Sequence, residues 1–259
     1  MKIRIRLTSF ALIIAIMACC FSSCDLIFGK DPKETVDKAE AALEAAPYTV
    51  EMAVTYESSD QNIIDAIKCF TGPVIRLEAD GDDLRVSMQM SLDGNVSKSV
   101  YTVCDGMIYL YSSEQTASGE KATREKIEYT SELREEITDM LGIGANIRYD
   151  DFKEAKERGS GGESIITCTG IKDEALYGVA NLMQDKLSSL GAMVGVKDAT
   201  LIITIEDGKY QATVFSCTYI ITTPETVYTV SMSLAAKFDY TSDVSVSAPT
   251  DADDYVEKS

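Results

Sequence analysis

The chain has 259 residues, with 24 Lys and Arg against 42 Asp and Glu, no His and no Trp, for a formal charge of −18. An acidic balance of this size excludes nucleic acid, which needs clustered cations, and excludes flat electrostatic adsorption to an anionic membrane. Without His the chain lacks the usual general base and the commonest transition-metal ligand.

At the N-terminus Lys2, Arg4 and Arg6 precede an apolar stretch from Leu7 to Phe21, which ends at Ser22-Ser23-Cys24. About 20 apolar residues are needed to cross a bilayer, so this stretch reads as an export signal and not as a span. A cysteine directly behind small residues resembles the bacterial lipobox, in which the thiol is lipidated and the leader is removed in front of it. Cys19 and Cys20 are rival anchors; Cys24 is preferred because the apolar run stops there and Asp25 opens a polar sequence. The expected organisation is a signal peptide over 1–23, an anchor and short tether over 24–31, and one domain over 32–259. Loss of the leader and its three basic residues takes the charge from −18 to −21. The tether reaches only roughly 25–30 Å when extended. The expected location is therefore the outer face of the cell membrane, with the membrane as a partner through the lipid.

Asp31-Pro32-Lys33-Glu34 is a helix start, with an N-cap acid and Pro at the first position. Val36, Ala39, Leu43 and Ala46 share one face before Pro47. Tyr48, Val50, Met52, Val54 and Tyr56 then alternate with Thr49, Glu51, Ala53, Thr55 and Glu57, the period of a strand with one buried face. A short helix is expected over about 60–70, presenting Ile63, Ile64 and Ile67. Asp80-Gly81, Asp93-Gly94, Asp105-Gly106 and Asp207-Gly208 mark tight hairpins. Leu84, Val86, Met88, Met90 and Leu92 alternate with polar residues, and Tyr101-Val103 leads to Met107, Tyr109 and Tyr111. Residues 113–121 read as an exposed polar loop.

Ser131 caps an expected helix to about Leu141. A hairpin follows around Gly159–Gly162, and then the longest helix, about 173–190, with the stripe Leu176, Val179, Ala180, Met183, Leu187 and Leu190. Three strands (about 199–206, 209–222 and 226–240) and a short piece at 244–247 complete the chain. The pattern predicts an α+β fold: one antiparallel sheet of about ten strands with helices on one face.

Cys69, Cys104, Cys168 and Cys217 form no C-x-x-C, so zinc and thioredoxin-like chemistry have no support. Up to two disulfides are open to an exported chain, yet Cys104, Cys168 and Cys217 sit in apolar runs that suit buried thiols equally well. Asp80–Asp83 lacks the ligand spacing of a calcium loop. Ser118-Gly119-Glu120-Lys121 matches S-x-x-K without its partner motifs. No enzyme activity, cofactor or metal is expected.

The succession of helix, strand, short helix and meander, with the hairpin Tyr101-x-x-x-Asp105-Gly106-x-x-Tyr109, a late helix, three final strands and the ending Val244-x-Val246-x-x-Pro249, resembles the bacterial LolA/LppX-like lipoproteins. The resemblance implies a strongly curved half-barrel sheet, helices on its concave face, and an apolar cavity able to hold acyl chains. The lining expected on that basis is Met52, Val54, Tyr56, Met88, Met90, Tyr101, Val103, Tyr109, Tyr228 and Met232. Flexible thioethers suit a pocket that takes variable apolar shapes. A lipid or other hydrophobic ligand is the expected cargo. The alternative is a non-enzymatic surface interaction protein with a filled core, acting through 113–121 and 142–150 on a partner the sequence does not name.

Overall fold

The computed structural model describes residues 31–67, 74–92, 95–117, 119–129, 147–187, 191–241 and 243–257, apart from the side chains of 62, 65, 66, 90–92, 182, 185 and 186. Cys24 with its leader, Cys69 and the helix expected at 131–141 lie outside them.

Twelve strands form one sheet: β1 Tyr48–Glu57, β2 Val74–Asp80, β3 Asp83–Leu92, β4 Asn95–Cys104, β5 Met107–Thr116, β6 Gly119–Glu128, β7 Phe152–Arg158, β8 Glu163–Ile171, β9 Met193–Glu206, β10 Lys209–Thr222, β11 Val227–Asp239 and β12 Val256–Glu257. Their order is β12-β6-β5-β4-β3-β2-β1-β11-β10-β9-β8-β7, so two meanders meet where β1 pairs with β11. Every pair is antiparallel except β12 with β6.

The sheet is neither closed nor strongly curled, which corrects the expected half-barrel. Sheets are bent by bulges, and register shifts among the described strands fall only between β9 and β10. There Asp198, with φ 55°, lies in a bulge opposite Cys217. Residues 113–121 are not a loop: β5 runs to Thr116 and β6 starts at Gly119, with Ser112 through Thr116 paired to Thr123 through Gly119. Polar residues on both faces hid this hairpin, because its ladder rests on backbone hydrogen bonds and not on a buried side. Of the expected turns, Asp93-Gly94 lies outside the described residues, and Asp80 pairs with Asp83, so Gly81-Asp82 and not Asp80-Gly81 forms that turn. Asp105-Gly106 and Asp207-Gly208 both carry positive φ at both positions, the geometry of a two-residue type I′ hairpin.

Three α-helices occur among the described residues: α1 Pro32–Ala45, α2 Gln61–Ile67 and α3 Asp173–Leu187. Asp31 caps α1 by accepting from Lys33 N at 3.0 Å. Val36 and Ala39 are its buried face. Thr35 Oγ1 donates to Glu157 of β7, and Ser164 Oγ of β8 donates to the same carboxylate at 2.6 Å. In α3 the expected stripe is buried at Val179, Met183 and Leu187. Gln184 joins its last turn to β9: Nε2 donates to Ala192 O at 2.7 Å and Oε1 accepts from Val194 N at 2.8 Å. Both α1 and α3 lie on one face of the sheet, here called inner. It carries Val50, Met52 and Val54 of β1.

The outer face of the β2–β6 half has its own cover. Residues 243–257 leave β11 and cross it to the edge of β6. Arg85 Nη2 donates to Ser247 O at 3.1 Å, Arg124 Nε meets Asp251 Oδ2 at 2.8 Å, and Tyr255 stacks edge-on against Tyr109 at 5.5 Å. The piece expected as a strand at 244–247 joins no ladder.

Candidate functional site

Strand register places the expected lining residue by residue. Tyr56 pairs with Met232, which pairs with Cys217. Val54 continues through Leu234, Phe215 and Leu201 to Cys168. In the other direction Met52 runs through Ile75 and Met88 to Ser99, and Val50 runs through Leu77, Val86 and Tyr101 to Leu110. Val103 lies between Leu84 and Ile108. Tyr228 pairs with Ile221. Thus Met52, Val54, Tyr56, Met88, Tyr101, Val103, Tyr228 and Met232 share the inner face. Met90 is in β3 opposite Ser97, and its side chain lies outside the described residues.

Tyr109 is not brought to this set. The two-residue turn pairs Cys104 with Met107, hence Tyr101 with Leu110 and Thr102 with Tyr109. Side chains alternate along a strand, so Tyr109 stands on the outer face against Tyr255. Leu110 takes the inner place that the sequence reading gave to Tyr109. Its signal was present in the uninterrupted apolar run Met107–Tyr111, which marks a strand covered on both faces.

The inner set divides by packing. Met52, Val54, Val103 and Met232 are all at most 8% exposed within one continuous core, whereas Tyr56, Met88, Tyr101 and Tyr228 pack against that core while remaining partly exposed. Tyr219 Oη donates to Val179 O at 3.3 Å and holds α3 over β10. Depressions of about 490 and 480 Å³ lie elsewhere. One is beside β6 and β12 at Arg124, Glu125 and Val256; the other is at Glu51, Arg76, Gln211 and Lys237.

Ionisation is suppressed on the inner face. Burial pushes the Cys168 thiol up to about 11, the Cys217 thiol up to about 12 and the Tyr56 phenol up to about 12. Burial raises Tyr219 further. A thiol held protonated is a poor nucleophile and metal ligand, so these groups serve as soft apolar surface. Among the described residues Cys104, Cys168 and Cys217 are all buried free thiols. Among the described residues no group of three or more Cys, Asp or Glu is placed to hold a metal ion. No helix among them is long and apolar enough to cross a membrane.

No family model matches the chain, and no curated protein matches it. Among solved structures it is similar to the ywiB protein from Bacillus subtilis, at 9% identity and TM-score 0.18, covering 74% of this chain and 91% of that one. A CurJ dehydratase inactive mutant in complex with a bound compound aligns at 9% identity and TM-score 0.13, covering 80% of this chain and 81% of that one.

Proposed function

We propose that this chain is an exported lipoprotein, tethered through Cys24, that binds or carries a lipid or another hydrophobic ligand against the inner face of its sheet. The observation that supports this best is the partly exposed group Tyr56, Met88, Tyr101 and Tyr228, which borders a continuous apolar core on the face carrying the helices. Apolar ligand surface buried there contributes about 25 cal/mol per Å² before the costs of association. The LolA/LppX-like element order agrees with such a role. Protein purified from membranes and examined by native mass spectrometry and lipid extraction is expected to carry a hydrophobe. Met88→Ser together with Tyr101→Ser is expected to lower its occupancy at least fivefold. Delipidated-looking protein from every preparation, with no binding of added amphiphile, overturns the proposal.

A second function has its own support. Met52, Val54, Val103 and Met232 leave almost no accessible surface, which suits a filled core and a protein acting through its surface. The β5–β6 hairpin, into which most of 113–121 folds, and the described part of 142–150 would then make the contacts. Cross-linking on intact cells that recovers one protein partner, with no bound hydrophobe, favours this function over ligand carriage.

A further inference from the structure

We propose that residues 243–257 form a detachable strap, which can leave the outer face of the β2–β6 half while the sheet itself stays paired. The proposal is independent of any ligand on the inner face.

The strap meets the sheet through few groups. Its ladder consists of two parallel pairings, Val256 with Glu125 and Glu257 with Lys126. Elsewhere its turn is closed on itself: Ala252 N donates to Pro249 O, Asp254 N to Asp251 O and Tyr255 N to Ala252 O. Backbone groups satisfied locally lose nothing when the segment lifts away. The Arg124–Asp251 pair is more than a third exposed on both sides, and an ion pair of that exposure contributes little. Two apolar plugs, Val246 and Tyr255, are each 6% exposed and provide most of the remaining grip.

The outer face beside the strap is unusually well buried. Thr102 and Cys104 of β4 are each 2% exposed there, although α1 and α3 both lie on the opposite side of the sheet. Arg85, next to Thr102 in the ladder, reaches Ser247 O; Tyr109, on the other side of Thr102, meets Tyr255. Thr102 is therefore bracketed by the two strap contacts. Cys104, two residues on along the same face, is the reporter thiol for that side of the sheet, whereas Cys168 and Cys217 report on the inner core.

The test is thiol labelling of the folded full chain, with each cysteine read separately by peptide mass mapping. Arg124→Ala and Tyr255→Ala are expected to raise the labelling rate of Cys104 at least tenfold over wild type, with the rates of Cys168 and Cys217 changed less than twofold. Taking the ratio at each site cancels the intrinsic reactivity of each thiol. Three rates that rise together, or a Cys104 rate that does not move, overturn the proposal. Hydrogen exchange on wild-type protein provides a second measure that needs no variant. Amides of 256 and 257, which sit in the ladder with β6, are expected to exchange at least a hundredfold faster than the paired amides of β4, and equal protection of the two overturns the strap.

Discussion

Tyr219 Oη donates to the main-chain carbonyl of Val179 at 3.3 Å, so a strand side chain is tied to the backbone of the helix above it. The contact joins β10 to α3 at a point where both partners are buried. Tyr219→Phe removes the donor and keeps the ring. The expected cost is about 0.5–1.5 kcal/mol in urea unfolding, with Tyr228→Phe as the control that leaves the midpoint unchanged.

Gln184 behaves as a short piece of extra strand, since its amide donates to Ala192 O and accepts from Val194 N. Gln184→Ala removes both bonds at the junction of α3 and β9. Stability is expected to fall by about 1–3 kcal/mol, and the Val194 amide is expected to exchange faster than its neighbours by NMR. Gln184→Glu keeps the acceptor alone and is expected to fall between the two.

Core and margin on the inner face are separable by truncation. Met232 is 3% exposed between Tyr56 and Cys217, so Met232→Ala is expected to cost about 2–5 kcal/mol. Met88 is only partly buried, so Met88→Ala is expected to cost less than about 1.5 kcal/mol. Chemical denaturation of the two variants checks the difference; equal costs would place Met88 in the core.

Alkaline pH is expected to destabilise the fold. Burial raises Cys168 from 9.0 to about 11 and Cys217 from 9.0 to about 12. Between these limits the unfolded chain has released protons that the folded chain retains. Stabilisation that is complete below pH 9 is therefore lost as the pH rises toward the folded values. Tyr56, raised from 10.0 to about 12 for the same reason, adds to the loss. Each fully shifted group contributes at most about 1.4 kcal/mol per pH unit. Urea midpoints from pH 8 to 11 are expected to fall, and Cys217→Ala is expected to flatten the slope.

Much of the fold was legible residue by residue. Asp31-Pro32 fixed the start of α1, the alternation from Tyr48 to Glu57 marked β1, and the stripe Val179, Met183, Leu187 marked the buried side of α3. The face of each expected lining residue was legible except for Tyr109, and the side chain of Met90 lies outside the described residues. Tyr109 was grouped with Tyr101, although a two-residue turn at Asp105-Gly106 forces them onto opposite faces. Strand β6 escaped because Gly119–Glu128 is charged and mostly exposed, beside a sheet edge where β12 pairs with it at only two positions.

Local sequence determined where strands alternate, where turns reverse and where helices begin, because these depend on φ/ψ preference and on side chains a few residues apart. Only the tertiary structure decided that Thr49 pairs with Asp239, that the chain's end crosses the outer face to reach Tyr109, and that the sheet stays open. Period-two patterning says that a strand has two unlike faces. It does not say which distant strand lies beside it, or what covers each face, because those choices are made by packing between residues far apart in the chain.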